Sequence, residues 1–247
     1  METNTRIWKD GVYCNKRVSA CIHGKEKNIR RIYMGKSMKV AVLIFHKHSY
    51  RYNPKWIAKC IHSIQNQTYN NFDVFEVDYG GEHTQLYPDS NFASTNHLKD
   101  HAEAHNWLLD KVFSLGYDCA FNVNIDDIYS LDRFEIQIEW IKAGYDVISS
   151  NFYLIDEAGR VTNALSMDSK VPEIEAKKEH NIIAHPVCCY SKNFWDNCTK
   201  LNPSEIPKDD FELWKRSYGK FKFKILPNFL LYYRVHSQKA SAKGVWK

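Results

Sequence analysis

The chain has 247 residues, of which 44% are hydrophobic and 26% are charged, a balance typical of a globular protein with a sizeable core. Its longest apolar run, Val40–Phe45, is far shorter than the roughly 20 residues that a transmembrane helix needs, and the N-terminus lacks the apolar core of a signal peptide. The net charge of +5 suits an anionic ligand or a nucleic acid and does not choose between them. We therefore expect a soluble, cytoplasmic protein without a transmembrane segment.

Residues 1–37 differ in pattern from the rest of the chain. Asp10 and Gly11 lie between β-forming residues, which is a strong hairpin signal, and Gly24 and Gly35 offer two more turns. The pattern predicts a small β-hairpin or β-meander appendage at 1–37, followed by one large domain at 38–247.

From Met38 onward, strand patterns alternate with helix patterns. The apolar run after Met38 predicts a strand covered on both faces, and Pro54 suits the first turn of the helix that follows. A second strand ends at Asp78, a second helix is closed by Gly116, and a third strand leads to Asp126 before a third helix. This alternation predicts an α/β fold with a mixed, mostly parallel sheet flanked by helices.

The third predicted strand ends in acids. Apolar residues recur at every second position from Cys119 to Ile125, so Asn124 and Asp126 share the opposite face. In an open α/β sheet, ligands bind beyond the carboxyl ends of the strands, where Asp78 of the second strand would also lie. Carboxylate oxygens suit Mg²⁺ or Mn²⁺, with substrate phosphates completing the ligand set. A solvated strand end would explain the same residues without any chemistry.

Seven segments, in the same order, resemble motifs of the GT-A glycosyltransferases, specifically glycosyltransferase family 2. Together they span most of the chain from Met38 to Ser241. Each segment alone is a weak match, and the order makes the resemblance specific. They are VAVLIFHKHSYRYNPKWIAKCIHSIQNQTY, FEVDYGG, AHNWLL, NVNIDDIYSLDRFEIQIEWI, IIAHPVCCYSKNFW, DDFELWKRSYG and LLYYRVHSQKAS.

The resemblance implies a role in binding the nucleotide-sugar for six residues, one of which is Arg234. Asp78 matches the acid that hydrogen-bonds the nucleotide base, and Tyr79 replaces the second acid of that strand end. His46 lies in the first loop, where the family binds nucleotide, and His105 stands in place of the Arg of an Ala-Arg-Asn helix. Asn124 replaces the first acid of the Asp-x-Asp motif, and its neutral amide is a poorer cation ligand than a carboxylate.

The resemblance also implies a divalent cation, Mn²⁺ or Mg²⁺, as cofactor. Asp126 completes the Asp-x-Asp motif and would bind the cation, with Asp127 as an additional ligand. His236 would approach the same cation or the diphosphate, and Arg234 would lie nearby.

Asp209 and Asp210 match an acidic pair at the start of a family helix. The resemblance makes Asp210, the second acid, the catalytic base, and Asp209 is the alternative. Acids in the first turn of a helix also stabilise its dipole, which would explain the pair without catalysis.

The family likeness implies a metal-dependent, inverting glycosyltransferase. It would move a sugar from a nucleoside-diphosphate sugar, expected to be UDP-linked, to an acceptor hydroxyl, with a glycan as the default acceptor. Two alternatives stay open: an acceptor on nucleic acid or protein, and a non-catalytic module that only binds the nucleotide-sugar.

Overall fold

The structure is a computed structural model that describes residues 38–167 and 181–237. The β-hairpin or β-meander predicted for residues 1–37 lies outside the described residues. None of the helices in the described ranges is long and apolar enough to cross a bilayer.

Four strands form the parallel half of the sheet, in the order β3-β2-β1-β4. They are β1 (Val40–His46), β2 (Asp73–Asp78), β3 (Asn91–Ser94) and β4 (Cys119–Val123). Strands β1 and β4 are almost entirely buried, as continuous apolar runs require of strands covered on both faces. Because these strands are parallel, their carboxyl ends meet at one edge of the sheet.

Three helices cover this half, and each begins or packs as its sequence predicts. Helix α1 (Pro54–Gln65) starts with Pro54 after the N-cap Asn53, whose side chain accepts from a backbone N–H of the first turn. Helix α2 (His101–Ser114) is capped by Asp100 and followed by Gly116 in the left-handed region at φ 81°. Helix α3 (Arg133–Lys142) turns an apolar stripe toward the sheet.

The second half of the sheet is mixed in direction. Strand β8 pairs antiparallel with both β4 and β6, and β6 pairs parallel with β9. Strand β5 pairs antiparallel with β9, and β7 pairs antiparallel with β6. Among the described residues this completes one nine-stranded sheet. These strands are β5 (Ile128–Tyr129), β6 (Val147–Ile155), β7 (Val161–Leu165), β8 (Cys189–Ser191) and β9 (Phe223–Arg234).

Two shorter helices complete the regular structure: α4 (Lys192–Asn197) and α5 (Asp209–Ser217). Single 3-10 turns lie at Ser49–Arg51, His185–Val187 and Pro203–Glu205. The mixed α/β sheet flanked by helices that the sequence predicts is confirmed.

Strand β9 passes through the interior of the sheet although it contains a proline. The pairing register with β6 shifts between Leu226 and Phe229, so Pro227 lies in a bulge. Its carbonyl accepts from Nδ2 of Asn151 at 3.1 Å. A bulge accommodates a residue that lacks a backbone N–H, which reconciles the proline with a central strand.

Arg133 is a buried charge that no sequence pattern singled out. Its side chain is fully buried, and Nη2 donates to the backbone carbonyls of Asn122 at 2.9 Å and Cys188 at 3.2 Å. The guanidinium lies 4.4 Å from the ring centroid of Tyr129, and burial lowers its pKa. Arg133 thereby ties strand β4 to the segment before β8, next to the edge where the predicted site residues lie.

Candidate active site

Three of the predicted site residues, His46, Asp78 and Asn124, lie at the carboxyl edge of the parallel strands. His46, the last residue of β1, pairs in register with Asp78, the last residue of β2. On the other side of β1, Ile44 pairs with Val123, so Asn124 follows directly at the end of β4. A ligand-binding crevice is expected at this edge of an α/β sheet.

The carboxylate of Asp78 is buried and holds the loop that follows it. Oδ1 accepts from the backbone N–H of Gly80 at 2.9 Å, and Oδ2 accepts from those of Glu82 at 2.8 Å and Thr84 at 3.2 Å. Burial opposes ionisation, but these N–H donors and the nearby His46 outweigh it and lower the pKa of Asp78. The acid predicted to bind the nucleotide base therefore shapes the loop beside it, and its contact with a base stays a prediction.

Asp78→Asn is expected to destabilise the fold by about 1–3 kcal/mol at pH 7, because an amide NH₂ would face backbone N–H donors. A carboxyl with a lowered folded-state pKa stabilises the fold above its unfolded pKa of about 3.9, and this contribution is lost as the pH falls through the folded-state value. The free energy of unfolding measured in urea should therefore differ between the variant and the wild type, and this difference should narrow below about pH 4. Asp89→Asn, which changes an exposed acid of the same connection, is the control. Equal unfolding curves for Asp78→Asn and the wild type at pH 7 would contradict the role of Asp78 in holding the loop.

His46 is buried beside a second carboxylate of β2. Its Nε2 lies 3.0 Å from Oε1 of Glu76, and both side chains are inaccessible to solvent. Glu76 also accepts from the backbone N–H of Leu86 at 2.6 Å and of Tyr87 at 3.0 Å. Glu76 thus fixes Leu86 and Tyr87 of the connection after β2, and its place between the apolar residues Phe75 and Val77 is the sequence signal that could have found it. His46 is the last residue of β1, whereas the sequence pattern predicts it in the first loop, and its nucleotide binding stays a prediction.

Tyr79 is half-buried next to the Asp78 loop. Its ring centroid lies 5.8 Å from Nζ of Lys47, and burial raises its pKa to about 12. Across the same edge, Nδ1 of His48 lies 2.5 Å from Oε1 of Glu82. Tyr79 and the pair of His48 with Glu82 therefore lie beside the loop that Asp78 holds, and a contact of Tyr79 with the nucleotide stays a prediction.

Asp126 and His236 form a direct pair, here called the cation group. His236 Nε2 lies 2.8 Å from Oδ2 of Asp126, and their side chains are 1% and 7% exposed. The imidazole packs against Trp56 and Tyr52, with ring centroids 4.9 and 6.0 Å away. Residues separated by 110 positions are therefore brought together at the end of β4.

The cation group fits a divalent cation that has further ligands from a substrate. A carboxylate oxygen of Asp126 and the imidazole Nε2 of His236, both groups that bind divalent cations, lie 2.8 Å apart, and Nδ1 of the same imidazole is buried without a hydrogen-bond partner among the described residues. Within the described ranges, no cluster of three or more His, Cys, Asp or Glu side chains is arranged to hold a metal by itself. Mg²⁺ and Mn²⁺ commonly complete such a partial set with phosphate oxygens.

Asn124 and Asp127 contact the chain around the cation group. The backbone N–H of Asn124 donates to the hydroxyl of Tyr129 at 2.8 Å, and its Nδ2 lies 3.5 Å from Oδ2 of Asp127. Oδ1 of Asp127, a fully buried residue, accepts from the backbone N–H of Arg234 at 2.8 Å. Asp127 therefore joins the end of β4 to β9, and its predicted role as a metal ligand is not tested by this contact.

The guanidinium of Arg234 is buried among carbonyl groups. Nε donates to the carbonyl of Asp126 at 2.9 Å, and Nη1 donates to that of Asp156 at 2.9 Å. The guanidinium also lies 5.1 Å from the ring centroid of Trp56. Nη2 is buried and has no hydrogen-bond partner among the described residues. Arg234 thus supports the backbone of Asp126, and its predicted contact with the nucleotide-sugar stays a prediction.

Asp209, Asp210 and His101 form a second cluster, here called the base group. His101 begins α2, and its Nε2 lies 3.3 and 3.2 Å from the two carboxylate oxygens of Asp209. Oδ2 of Asp210 accepts from Nδ2 of Asn181 at 3.2 Å. The two adjacent acids therefore have different partners, which sequence alone did not show.

The two acids of the base group have pKa shifts of opposite sign. Burial raises the pKa of Asp210, and the charge on Asp209 adds to that effect while His185 opposes it. Burial also disfavours the charged form of Asp209, but the hydrogen bond and charge of His101 outweigh it and lower the pKa of Asp209. Neighbouring carboxyls whose pKa values are shifted in opposite directions are typical of sites in which one acts as an acid and the other as a base.

His105 lies in an aromatic environment one turn after His101. It is buried, with ring centroids of Phe45 and His185 at 5.2 and 4.9 Å, and neither ring nitrogen has a hydrogen-bond partner in the described parts of the chain. Burial holds its pKa well below the ordinary value, so the imidazole is neutral. His105 therefore does not carry the charge of the Arg it replaces, and its contact with the donor stays a prediction.

A series of contacts connects the end of β4 with α2, the helix that His101 begins. The hydroxyl of Tyr129, which accepts from Asn124, donates to the carbonyl of Pro186 at 3.3 Å. The neighbouring His185 touches His105 of α2. The end of β4 is thus held against the 3-10 turn that borders the base group.

Solved structures similar to the chain include two of TarS from S. aureus and one mannosyltransferase. Residues 1–349 of TarS give a TM-score of 0.59 at 16% identity, covering 80% of this chain and 60% of that one, and a further TarS structure gives 0.57 at 16%, covering 80% and 37%. Mannosyltransferase PcManGT from Pyrobaculum calidifontis, solved with GDP-Man and Mn²⁺, gives 0.58 at 13%, covering 83% and 59%. These neighbours are GT-A-type glycosyltransferases, so the GT-A fold predicted from the sequence is confirmed.

The likeness is one of fold. The chain spans 37–60% of the length of these structures. No family model matches the sequence, and no curated protein matches it.

Proposed function

We propose that the chain is a metal-dependent, inverting glycosyltransferase that moves a sugar from a nucleoside-diphosphate sugar to an acceptor hydroxyl. The observation that carries the proposal is the pairing of Asp126 with His236 at the end of β4 in a GT-A sheet. This is the edge where ligands of such sheets bind. A second acidic cluster, the base group, supplies the other requirement of the reaction.

The residues of the cation group would hold the divalent cation together with the donor diphosphate. When bound, the cation would neutralise negative charge on the leaving nucleoside diphosphate. The guanidinium of Arg234, which donates to the carbonyl of Asp126 at 2.9 Å, would add positive charge next to that carboxylate residue. Asp126 and His236 would thus bind and orient the donor through its phosphates.

Asp210 would accept the proton of the acceptor hydroxyl. A hydroxyl is a weak nucleophile, and a positioned general base contributes typically about 10²–10⁴-fold to the rate. The raised pKa of Asp210 makes it a stronger base than an ordinary carboxylate, whereas Asp209 is committed to His101. One base and direct displacement would invert the configuration at the anomeric carbon.

We propose a UDP-linked donor, with a GDP-linked donor as the alternative because one structural neighbour was solved with GDP-Man. The acceptor is proposed to be a glycan. An acceptor on nucleic acid or protein, and a module that binds a nucleotide-sugar without transfer, are the competing functions.

Thermal unfolding tests donor binding. At a concentration about 100 times the dissociation constant, a nucleotide stabilises by about 2.7 kcal/mol, which for a chain of this size is a shift of about 5–10 °C. UDP or GDP with Mn²⁺ should produce that shift, and EDTA should abolish it. The absence of a shift with every nucleoside diphosphate tested would contradict the proposal.

Two further measurements separate the competing functions. Release of UDP or GDP from a panel of nucleotide-sugars would exclude a module that only binds. Retention on DNA that falls steeply with salt would favour a nucleic-acid acceptor over a glycan.

A further inference from the structure

The contact between His101 and Asp209 joins the first residues of two helices. His101 opens α2 and Asp209 opens α5, and the imidazole approaches both carboxylate oxygens at 3.2–3.3 Å. The carboxylate is only 4% exposed, whereas the imidazole is 36% exposed and remains in contact with solvent. The resemblance to the glycosyltransferases assigned no role to His101.

Several charged or titratable groups face His101 from the elements packed around it, and most are acidic. They are Asp100 and His105 beside and within α2, Asp209 and Asp210 on α5, and His185 in the 3-10 turn. Burial lowers the pKa of His101, but the hydrogen bond and charge of Asp209 outweigh that effect and raise it above the ordinary value. His105 and His185 have lowered pKa values, chiefly through burial, so the positive charge of the cluster resides on His101.

We propose that His101 is a positioning residue for the catalytic base: its imidazolium holds Asp209 and thereby fixes the first turn of the helix that presents Asp210. This inference rests on the proposed function, because it concerns the base of the same reaction. It also explains why two adjacent acids are present. Asp209 anchors the helix through His101, and Asp210 is left to accept the proton.

The sign of the pH dependence follows from the charge on His101. The ion pair exists while the imidazole is protonated and is lost as the pH rises through its folded-state pKa. Transfer should therefore decline on the alkaline side as His101 loses its proton. A variant with a neutral residue in place of His101 should therefore transfer sugar, at every pH, at the rate that the wild type has above that pKa.

NMR titration of the histidine rings tests the pair without reference to activity. In the wild type, His101 should titrate above the ordinary value of about 6.5, and in Asp209→Asn it should return toward that value. His97, an exposed histidine in the preceding loop, is the internal reference for the assignment of the ring signals. An identical His101 titration in both proteins would overturn the inference.

The pH profile of sugar release tests the positioning role. His101→Gln should lower kcat for hydrolysis of UDP-glucose or GDP-mannose, whichever is faster, by about tenfold near neutral pH, and leave KM for the donor nearly unchanged. The two rates should converge at alkaline pH, whereas a purely structural role would keep their ratio constant. His97→Gln should retain the wild-type profile.

The outcomes distinguish this inference from the proposed function. A ratio of kcat between His101→Gln and the wild type that stays constant across the pH range would overturn the inference and leave the proposed transferase function intact. A wild-type chain that releases no sugar from any donor contradicts the function itself, and the inference falls with it.

Discussion

Asp210→Asn is expected to reduce sugar transfer by about 10²–10⁴-fold, the range for loss of a general base, while donor binding stays intact. The amide has the same shape as the carboxyl but does not accept a proton. The hydrogen bond from Asn181 and the packing of α5 change little, so the loss should appear in kcat and not in the thermal shift with nucleotide. Glu205→Gln, an exposed acid shortly before α5, is the matched control.

The same measurement decides between the two acids of the base group. Full activity in Asp210→Asn together with its loss in Asp209→Asn would assign the base to Asp209. With Asp210 as base, the wild-type rate should fall as the pH drops through a pKa above the ordinary value of an aspartate, about 3.9, because burial raises it. An acid limb at or below that ordinary value would contradict the assignment.

Asp126→Ala is expected to abolish the metal-dependent part of nucleotide binding. The substitution removes the only carboxylate of the cation group, and His236 alone would not retain a hard cation such as Mg²⁺ or Mn²⁺. The thermal shift that UDP or GDP produces with Mn²⁺ should therefore shrink to the value measured in EDTA. Asp126→Asn keeps the size and shape of the side chain but removes its charge, so it should also lose the Mn²⁺-dependent thermal shift.

Controls separate this effect from damage to the fold. Asp196→Ala removes an exposed acid of α4 that pairs with Lys192 and should keep the full nucleotide shift. If Asp126→Ala unfolds at the wild-type temperature without ligand and still shows the full Mn²⁺-dependent shift, Asp126 does not hold the cation.

Local sequence patterns predicted β1, β2, β4 and the helices α1, α2 and α3, together with the position of the strand-end acids, but not the short strands β3, β5 and β7. The alternation from Cys119 to Ile125 placed Asp126 just beyond a buried strand, and the structure has β4 ending at Val123. Pro54 opens α1 as expected. Such features depend on periodicity and capping, which are properties of neighbouring residues.

The partners of these acids could not be read from the sequence, because they come from distant segments. Asp126 meets His236 across 110 residues, and Asp209 meets His101 across 108. Arg133 occupies the first turn of a helix, where a solvated arginine would look the same in sequence. Its burial depends on how α3 packs against β4 and on the carbonyls it meets there.

The bonding of Asp78 shows the same limit. The resemblance correctly located an acid at the end of β2, but its three backbone donors come from the conformation of the loop that follows. A motif identifies the residue and its place on the sheet edge. Whether its oxygens are free for a ligand is decided by that conformation.

The central claim is that the cation group holds the diphosphate of a nucleotide-sugar at the carboxyl edge of the sheet. Crystals grown with Mn²⁺ and UDP or GDP test it directly, because the anomalous scattering of manganese locates the ion independently of the protein density. We expect one strong peak bonded to Asp126, with the diphosphate on the same ion and the base beside the loop that follows Asp78. A nucleotide bound elsewhere on the chain, or manganese without contact to Asp126, would contradict it.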